Sequence, residues 1–425
     1  MLEFVSVNGL GGAMELGFVQ NGFDLMHRTG SLDLGAPLVE GNRKLMGWKW
    51  EANLTDNQRT WDRSSPAIVI GNPPCSAFST LTRKDLRGDS AKVLQFTREM
   101  VDYPLLQKTP PLLIAIESVQ QAFSTGRKFF QSERERLEEG TGHKYDLVWL
   151  MHSNASLGGA STRKRVFVVY TRMPFGVEYA QPTRVARFGD CVRDLEGLAL
   201  TPHKQGYRRP PTWWSSARRA TDGVDGHFNS KKANDQFSAL MDIAASIGKP
   251  WMPNEPLEDV LRRVHGAGRT LPHEWNRNLD KLVQKNFQLG MNQTSMWDPE
   301  KQGRVVTGTG PYMSVHYAEH RMLTYRECAR LQGFPDTWRI WPARDYNKLG
   351  ASWGKGVPVD AGRWLGNWVK EALEGTPGTV QGEIIGDRER KVDITQAFKH
   401  TLRYERPWDY TQNTIHDQVG LRAVQ

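Results

Sequence analysis

Cysteine is scarce in this chain. Three thiols, Cys75, Cys191 and Cys328, occur in 425 residues, an odd, sparse set that excludes a disulfide scaffold and fits a reducing cytoplasm. None stands at CxxC spacing, so no structural zinc, and no other metal, is expected. No run of about 18 apolar residues is present, which excludes a helical membrane span. The N-terminal MLEFVSVNGLGG has no basic region before its apolar run, unlike a secretory signal. Tandem repeats, heptads and low-complexity tracts are also missing. Acidic residues are outnumbered: 47 Asp and Glu against 56 Lys and Arg leave a net charge of +9, which favours a polyanionic partner. With 38% hydrophobic and 24% charged residues, the chain reads as soluble and globular, long enough for one large domain and a smaller one.

The first 175 residues alternate β-rich runs with helical stretches. EFVSV (3–7), PAIVIG (66–71), LLIAIESV (112–119), DLVWLMH (146–152) and RVFVVYTR (165–172) read as strands. AMELGFVQNGF (13–23), AKVLQFTREMVDY (91–103) and FFQSERERLEE (129–139) have helical spacing. Such alternation predicts an α/β fold with a doubly wound, mostly parallel sheet. From about residue 176, Gln181–Pro182, the Arg208–Pro211 segment and Trp213–Trp214 interrupt the pattern. Helical runs return at 231–247, 256–265 and 273–287, which predicts a separate, smaller, helical or mixed domain. Near RMLTYRECARLQGF (321–334) a helix opens at Thr324, where Thr324 and Glu327 form a capping box. After about 375 the chain is polar and carries no readable motif.

Two loops are chemically suggestive. Asn8-Gly9-Leu10-Gly11-Gly12 joins a strand to a helix, an arrangement that suits a nucleotide-like cofactor at the carboxyl edge of a sheet, although a plain structural turn explains it as well. Gly71-Asn72-Pro73-Pro74-Cys75 follows a strand directly. Its two prolines would present Cys75 rigidly, as a nucleophile requires; a buried apolar cysteine is the equal alternative.

Taken together, the motifs resemble the C5-cytosine DNA methyltransferase family. NGLGG (8–12) looks like its cofactor loop, GNPPCSAFS (71–79) its Pro-Cys nucleophile motif and IESV (116–119) its Glu-Asn-Val motif. STRKRVFVV (161–169) looks like its Gln-x-Arg-x-Arg motif, RMLTYRECARLQGFP (321–335) matches its late motif, and GKGVP (354–358) resembles the closing Gly-Asn-x-Val-Pro. The resemblance covers residues 1–175 and 321–370 in the family's order. It implies a Rossmann-like catalytic, cofactor-binding domain over 1–175 that resumes over 321–375. A target-recognition domain with a helical insertion over 176–320 and a C-terminal extension of unknown role over 376–425 complete the expected organisation. Double-stranded DNA is the implied partner, the protein a monomer in the cytoplasm of a bacterial host, phage-encoded or not.

By this resemblance Cys75 adds to C6 of a flipped cytosine. Glu117 protonates N3, and Arg163 and Arg165 orient the pyrimidine O2 and the phosphates. Val7, Asn8, Gly9, Leu10, Gly11, Gly12, Asn72, Pro73, Pro74, Lys355 and Val357 are implied at the cofactor, S-adenosylmethionine or a relative of it. Arg83, Lys84 and Arg87, in the loop after the nucleophile, and Arg208, Arg209, Arg218 and Arg219, around Trp213 and Trp214, are candidate DNA contacts; solvated arginines beside buried tryptophans fit the second group equally.

Departures from the family pattern are informative. Val7 stands where an aromatic residue is usual. No clear acid occurs near Thr29, leaving Asp33, Glu40 and Glu51 as ribose or adenine contacts. Ser76, Ser118 and Ser161 replace Gln, Asn and Gln. Lys355 replaces a neutral Asn near the transferred group. Two positive charges about 5 Å apart at an effective dielectric near 20 repel by roughly 3 kcal/mol, so a lysine beside a sulfonium is costly. It becomes favourable if the cofactor is carboxy-S-adenosylmethionine, and the product 5-carboxymethylcytosine. A lysine turned to solvent or to a DNA phosphate is compatible with plain methyl transfer. An RNA methyltransferase on the same fold, a non-catalytic DNA-binding protein and a nucleotide-binding oxidoreductase are the remaining alternatives.

Overall fold

The structure, a computed structural model, describes residues 2–31, 36–42, 45–46, 65–79, 90–179, 182, 185–198, 231–289, 294–308, 310–340, 354–376 and 378–395. Its centre is an eight-stranded sheet of β1 (Leu2–Val7), β2 (Phe23–Thr29), β3 (Ile68–Gly71), β4 (Leu113–Ser118), β5 (Asp146–Ser153), β6 (Lys164–Thr171), β9 (Glu383–Gly386) and β10 (Glu389–Asp393). The spatial order is β2-β1-β3-β4-β6-β5-β10-β9. The run from β2 to β4 is parallel, and β6 lies antiparallel to both β4 and β5. β10 is parallel to β5, and β9 returns antiparallel at the edge. Two short parallel strands, β7 (Ser295–Met296) and β8 (Ser314–Val315), pair apart from this sheet.

The described helices are α1 (Ala13–Val19), α2 (Ala36–Gly41), α3 (Ser90–Leu105), α4 (Ala122–Thr125), α5 (Arg127–Thr141), α6 (Phe188–Val192), α7 (Lys231–Ser246), α8 (Leu257–Gly266), α9 (His273–Asn276), α10 (Leu279–Gln284), α11 (Tyr325–Leu331) and α12 (Val359–Leu373). Alternate strand residues serve opposite layers. Phe4, Ile70, Leu113, Leu150 and Phe167 pack with Leu16 and Phe18 of α1 and Leu365 and Trp368 of α12. Val5, Val69, Ile114, Trp149 and Val168 pack with Met100 of α3 and Phe130 of α5. Both faces are therefore covered, which is why the strands read as nearly continuous apolar runs. A third cluster joins α7 and α8 through Leu240, Ala244, Val260 and Leu261, and extends to Leu282 of α10.

Three expectations change. The helix expected over 13–23 stops at Val19; Gly22, with φ of 85°, turns the chain into β2. The helix expected over 273–287 is two short pieces, α9 and α10, separated at Arg277 and Asn278. After residue 375, where no element was foreseen, β9 and β10 extend the sheet. The capping box at Thr324 is present: its hydroxyl accepts from the Glu327 N–H, and the Glu327 carboxylate accepts from the Thr324 N–H.

Candidate active site

Strand ends converge at the carboxyl edge of the sheet. Cys75 is half-buried in the loop leaving β3. Glu117, 1% exposed, is the penultimate residue of β4. One Glu117 oxygen accepts from Asn72 Nδ2 at 3.3 Å, and the other lies 2.9 Å from Arg165 Nε. The antiparallel register sets Glu117 opposite Phe167, so Arg165, two residues earlier on β6, lies diagonally across from it. Arg163 precedes β6 and is 1% exposed. Its Nη1 donates to the Val306 carbonyl at 2.9 Å, while its buried Nε and Nη2 have no partner among the described residues.

The electrostatics of this group conflict. Burial pushes the Cys75 thiol up, and the Glu117 carboxylate pushes it further; Arg165 and Arg163 pull it back. Arg163 is brought down to about 9, chiefly by burial and then by the like charge of Arg165. His152, opposite Arg165 on β5 and stacked on Phe167, falls to about 3 through burial and then Arg165 and Arg163. A thiol, a carboxyl and two guanidiniums thus surround one point, with donors still open.

Beside it is a narrow cleft lined by Leu10, Gly11, Gly12, Ala13, Met14, Asn72, Phe334, Gly356 and Val357. Asn72 joins this cleft to Glu117. Of the other expected cofactor contacts, Val7 is packed in the core on the α3 side. The Asn8 amide donates to Phe96 O and Glu99, Gly9 lies over Arg28 and Glu15, and Pro73 and Pro74 lie in the loop before Cys75. Lys355 is exposed next to Gly356 and has no ion-pair or hydrogen-bond partner among the described residues. Arg83, Lys84, Arg87, Arg208, Arg209, Arg218, Arg219, Asp33 and Glu51 lie outside the described residues, as does the Glu40 side chain. Among the described residues no cluster suits a metal ion, and no helix is long and apolar enough to cross a membrane.

Sequence reasoning missed the wall of this site. Residues 303–308 run from the arginine motif to the closing motif: Gly303 exchanges backbone hydrogen bonds with Ala160 and Thr162, and Val306 holds Arg163. A Cβ on Gly354 would stand 1.9 Å from the Thr307 carbonyl carbon, so only glycine allows this approach. The Arg163–Val306 bond joins positions 143 apart, so no local pattern marks this wall.

Residues 9–371 match the C-5 cytosine-specific DNA methylase family. The chain belongs to this family. Among its relatives, DNA (cytosine-5)-methyltransferase 1A of Oryza sativa subsp. japonica is 23% identical over 354 residues, covering 72% of this chain but 22% of the rice protein. Type II methyltransferase M.NgoPII of Neisseria gonorrhoeae is 22% identical over 309 residues, covering 72% of this chain and 77% of its own length. Thus the chain spans about a fifth of the rice protein and most of the bacterial one. The solved structure of the Entamoeba histolytica methyltransferase EhMeth shares the fold, with a TM-score of 0.51 at 11% identity, covering 88% of this chain and 98% of EhMeth.

Proposed function

We propose that this methylase-family protein alkylates C5 of cytosine in duplex DNA through a covalent adduct of Cys75 with C6 of a flipped base. The observation that carries this reading is the meeting of Cys75, Glu117, Arg165 and Arg163 at one sheet edge, with two buried Arg163 nitrogens lacking partners among the described residues. Buried donors of this kind cost stability unless a ligand completes them, and a pyrimidine carbonyl is the acceptor their planar geometry suits. In this reading Cys75 sulfur bonds to C6 while Glu117 supplies the proton to N3, which leaves C5 nucleophilic. After alkylation, loss of the C5 proton and expulsion of the thiolate restore Cys75.

The cleft is the proposed contact for part of an S-adenosylmethionine-type cofactor: Leu10 to Met14, Phe334 and Val357 line it, and Asn72 connects it to Glu117. Such a cofactor supplies, when bound, an electrophilic carbon on a sulfonium. We assign Lys355 the selection of that carbon. Exposed, without a partner among the described residues and adjoining the cleft-lining Gly356, it suits a donor that carries a carboxylate beside the sulfonium, so carboxymethyl transfer is the proposed outcome. Residues 176–320, including the α7–α10 cluster, are the proposed target-recognition lobe, with DNA between it and the sheet edge.

The test is nucleoside mass spectrometry of duplex DNA incubated with protein and either S-adenosylmethionine or carboxy-S-adenosylmethionine. Carboxymethyl-deoxycytidine as the main product, with the preference lost in Lys355→Asn, is the expected result. Methyl-deoxycytidine alone would make Lys355 a bystander. Activity on tRNA and none on duplex DNA would favour the RNA reading. Failure to trap a 5-fluorocytosine duplex with both cofactors would reduce the protein to a binding module.

A further inference from the structure

We infer that Glu99, in the middle of α3, supplies the carboxylate that receives the ribose hydroxyls of the cofactor, replacing an acid missing from the end of β2. This rests on the cofactor reading above. In nucleotide-binding α/β sheets, an acid at this edge accepts the ribose hydroxyls. Here β2 ends His27-Arg28-Thr29, and Arg28 is turned inward, donating to Glu15 and to the Leu10 carbonyl at 2.9 Å each.

Glu99 reaches the same edge from another element. Its Oε2 accepts from the Asn8 amide, in the loop after β1, and from the Ser31 N–H, in the loop after β2, each at 2.9 Å. Its Oε1 accepts from the Ser31 hydroxyl. The two loops touch at Gly30, whose φ of 109° needs glycine and where a Cβ would stand 2.3 Å from Asn8 Oδ1. Glu99 is 5% exposed, and no Lys, Arg or His pairs with it among the described residues. Buried carboxylates without a cation are rare. This one is held by the two loops that frame the cofactor edge. A carboxylate has about four acceptor sites, and three are in use. The Ser31 hydroxyl, on an exposed residue at the rim, occupies the kind of position that a ribose hydroxyl would share or take over.

The experiment is calorimetric titration of the full chain with S-adenosylhomocysteine and with its 3′-deoxyribose analogue. Wild type should bind the analogue about ten- to a hundredfold more weakly, the worth of a hydrogen bond to a charged acceptor. Glu99→Gln should weaken S-adenosylhomocysteine binding and largely erase the difference between the two ligands. Were Glu99 only a clamp between loops, the variant would weaken both ligands equally and keep their ratio, which would overturn the proposal. If Glu99→Gln does not fold, Ser31→Ala decides: it leaves the carboxylate in place and should retain the deoxy penalty, whereas loss of the penalty would assign ribose recognition to Ser31. No deoxy penalty in wild type would also refute the inference. No binding of S-adenosylhomocysteine by wild type would instead remove the cofactor reading on which it stands.

Discussion

Two groups of buried arginines, one beside β6 and one around α11, face the same physical problem and meet it differently. Around α11, Arg330 spends every nitrogen: Nε and Nη2 on Asp336, Nη1 on Asp194 and the Cys191 carbonyl. Arg321 likewise clasps Glu327 with both terminal nitrogens and Glu319 with Nε. Burial opposes these charges, but Asp336 and then Asp194 carry Arg330 above its ordinary value, and Arg321 holds the Glu327 carboxyl below its own. Beside β6, Arg163 is as buried as Arg330, yet among the described residues it has one hydrogen bond and two nitrogens without partners, and its pKa is depressed. The closed cluster holds the fold together, whereas in the proposed function a flipped base completes the open one.

The contrast can be broken by substitution. Cys75→Ala should abolish both product and the covalent complex with a 5-fluorocytosine duplex on denaturing gels, without loss of fold. Next, Arg321→Ala should cost about 3–5 kcal/mol in urea unfolding, because it strands Glu327 as an unpaired buried charge. Arg163→Met should stay within about 1 kcal/mol of wild type, having removed a poorly compensated cation, while transfer falls at least about a hundredfold. Equal destabilisation by both substitutions would collapse the distinction.

A smaller effect concerns His152, whose folded pKa lies near 3 against an ordinary 6.5. Between these values the unfolded chain takes up a proton that the folded one refuses. Stability from this group is therefore full above 6.5 and falls as pH drops toward 3, by at most about 1.4 kcal/mol per pH unit. His152→Leu should flatten that slope in acid titrations of the unfolding midpoint. Smallest is a shift in the pH dependence of adduct formation. The rate should climb into the alkaline range with the raised thiol. Arg165→Gln should move the profile to higher pH by removing a cation that lowers Cys75, and Glu117→Gln should move it to lower pH, whatever each does to the maximum rate.

The five strands read from sequence are those buried on both faces, where apolar runs are unbroken. β2 was hidden because FDLMHRT follows a helix with only Gln20, Asn21 and Gly22 between them, so its apolar residues prolonged the helical pattern. β9 and β10 were hidden because they are short and mostly polar; Ile384 of β9 is 70% exposed. At the site, Cys75 and Glu117 are legible because each ends a visible strand. The Arg163–Val306 bond spans 143 positions, and the Glu117–Arg165 approach depends on antiparallel register, neither of which a local pattern carries. Glu99 sits mid-helix in no motif, so nothing local distinguishes it from a surface helix residue.

β10 also sets an order of events during synthesis. Its Glu389 accepts from the Trp149 indole, Arg127 and Gln131, which belong to β5 and α5, made some 240 residues earlier. As the chain leaves the ribosome, β5 must wait with one edge bare and its tryptophan without an acceptor, although every recognisable motif has already emerged by residue 358. A chain stopped just after α12 would carry the whole reactive set on an unfinished sheet. Completion of the sheet is thus tied to the arrival of a strand that carries none of the proposed reactive residues.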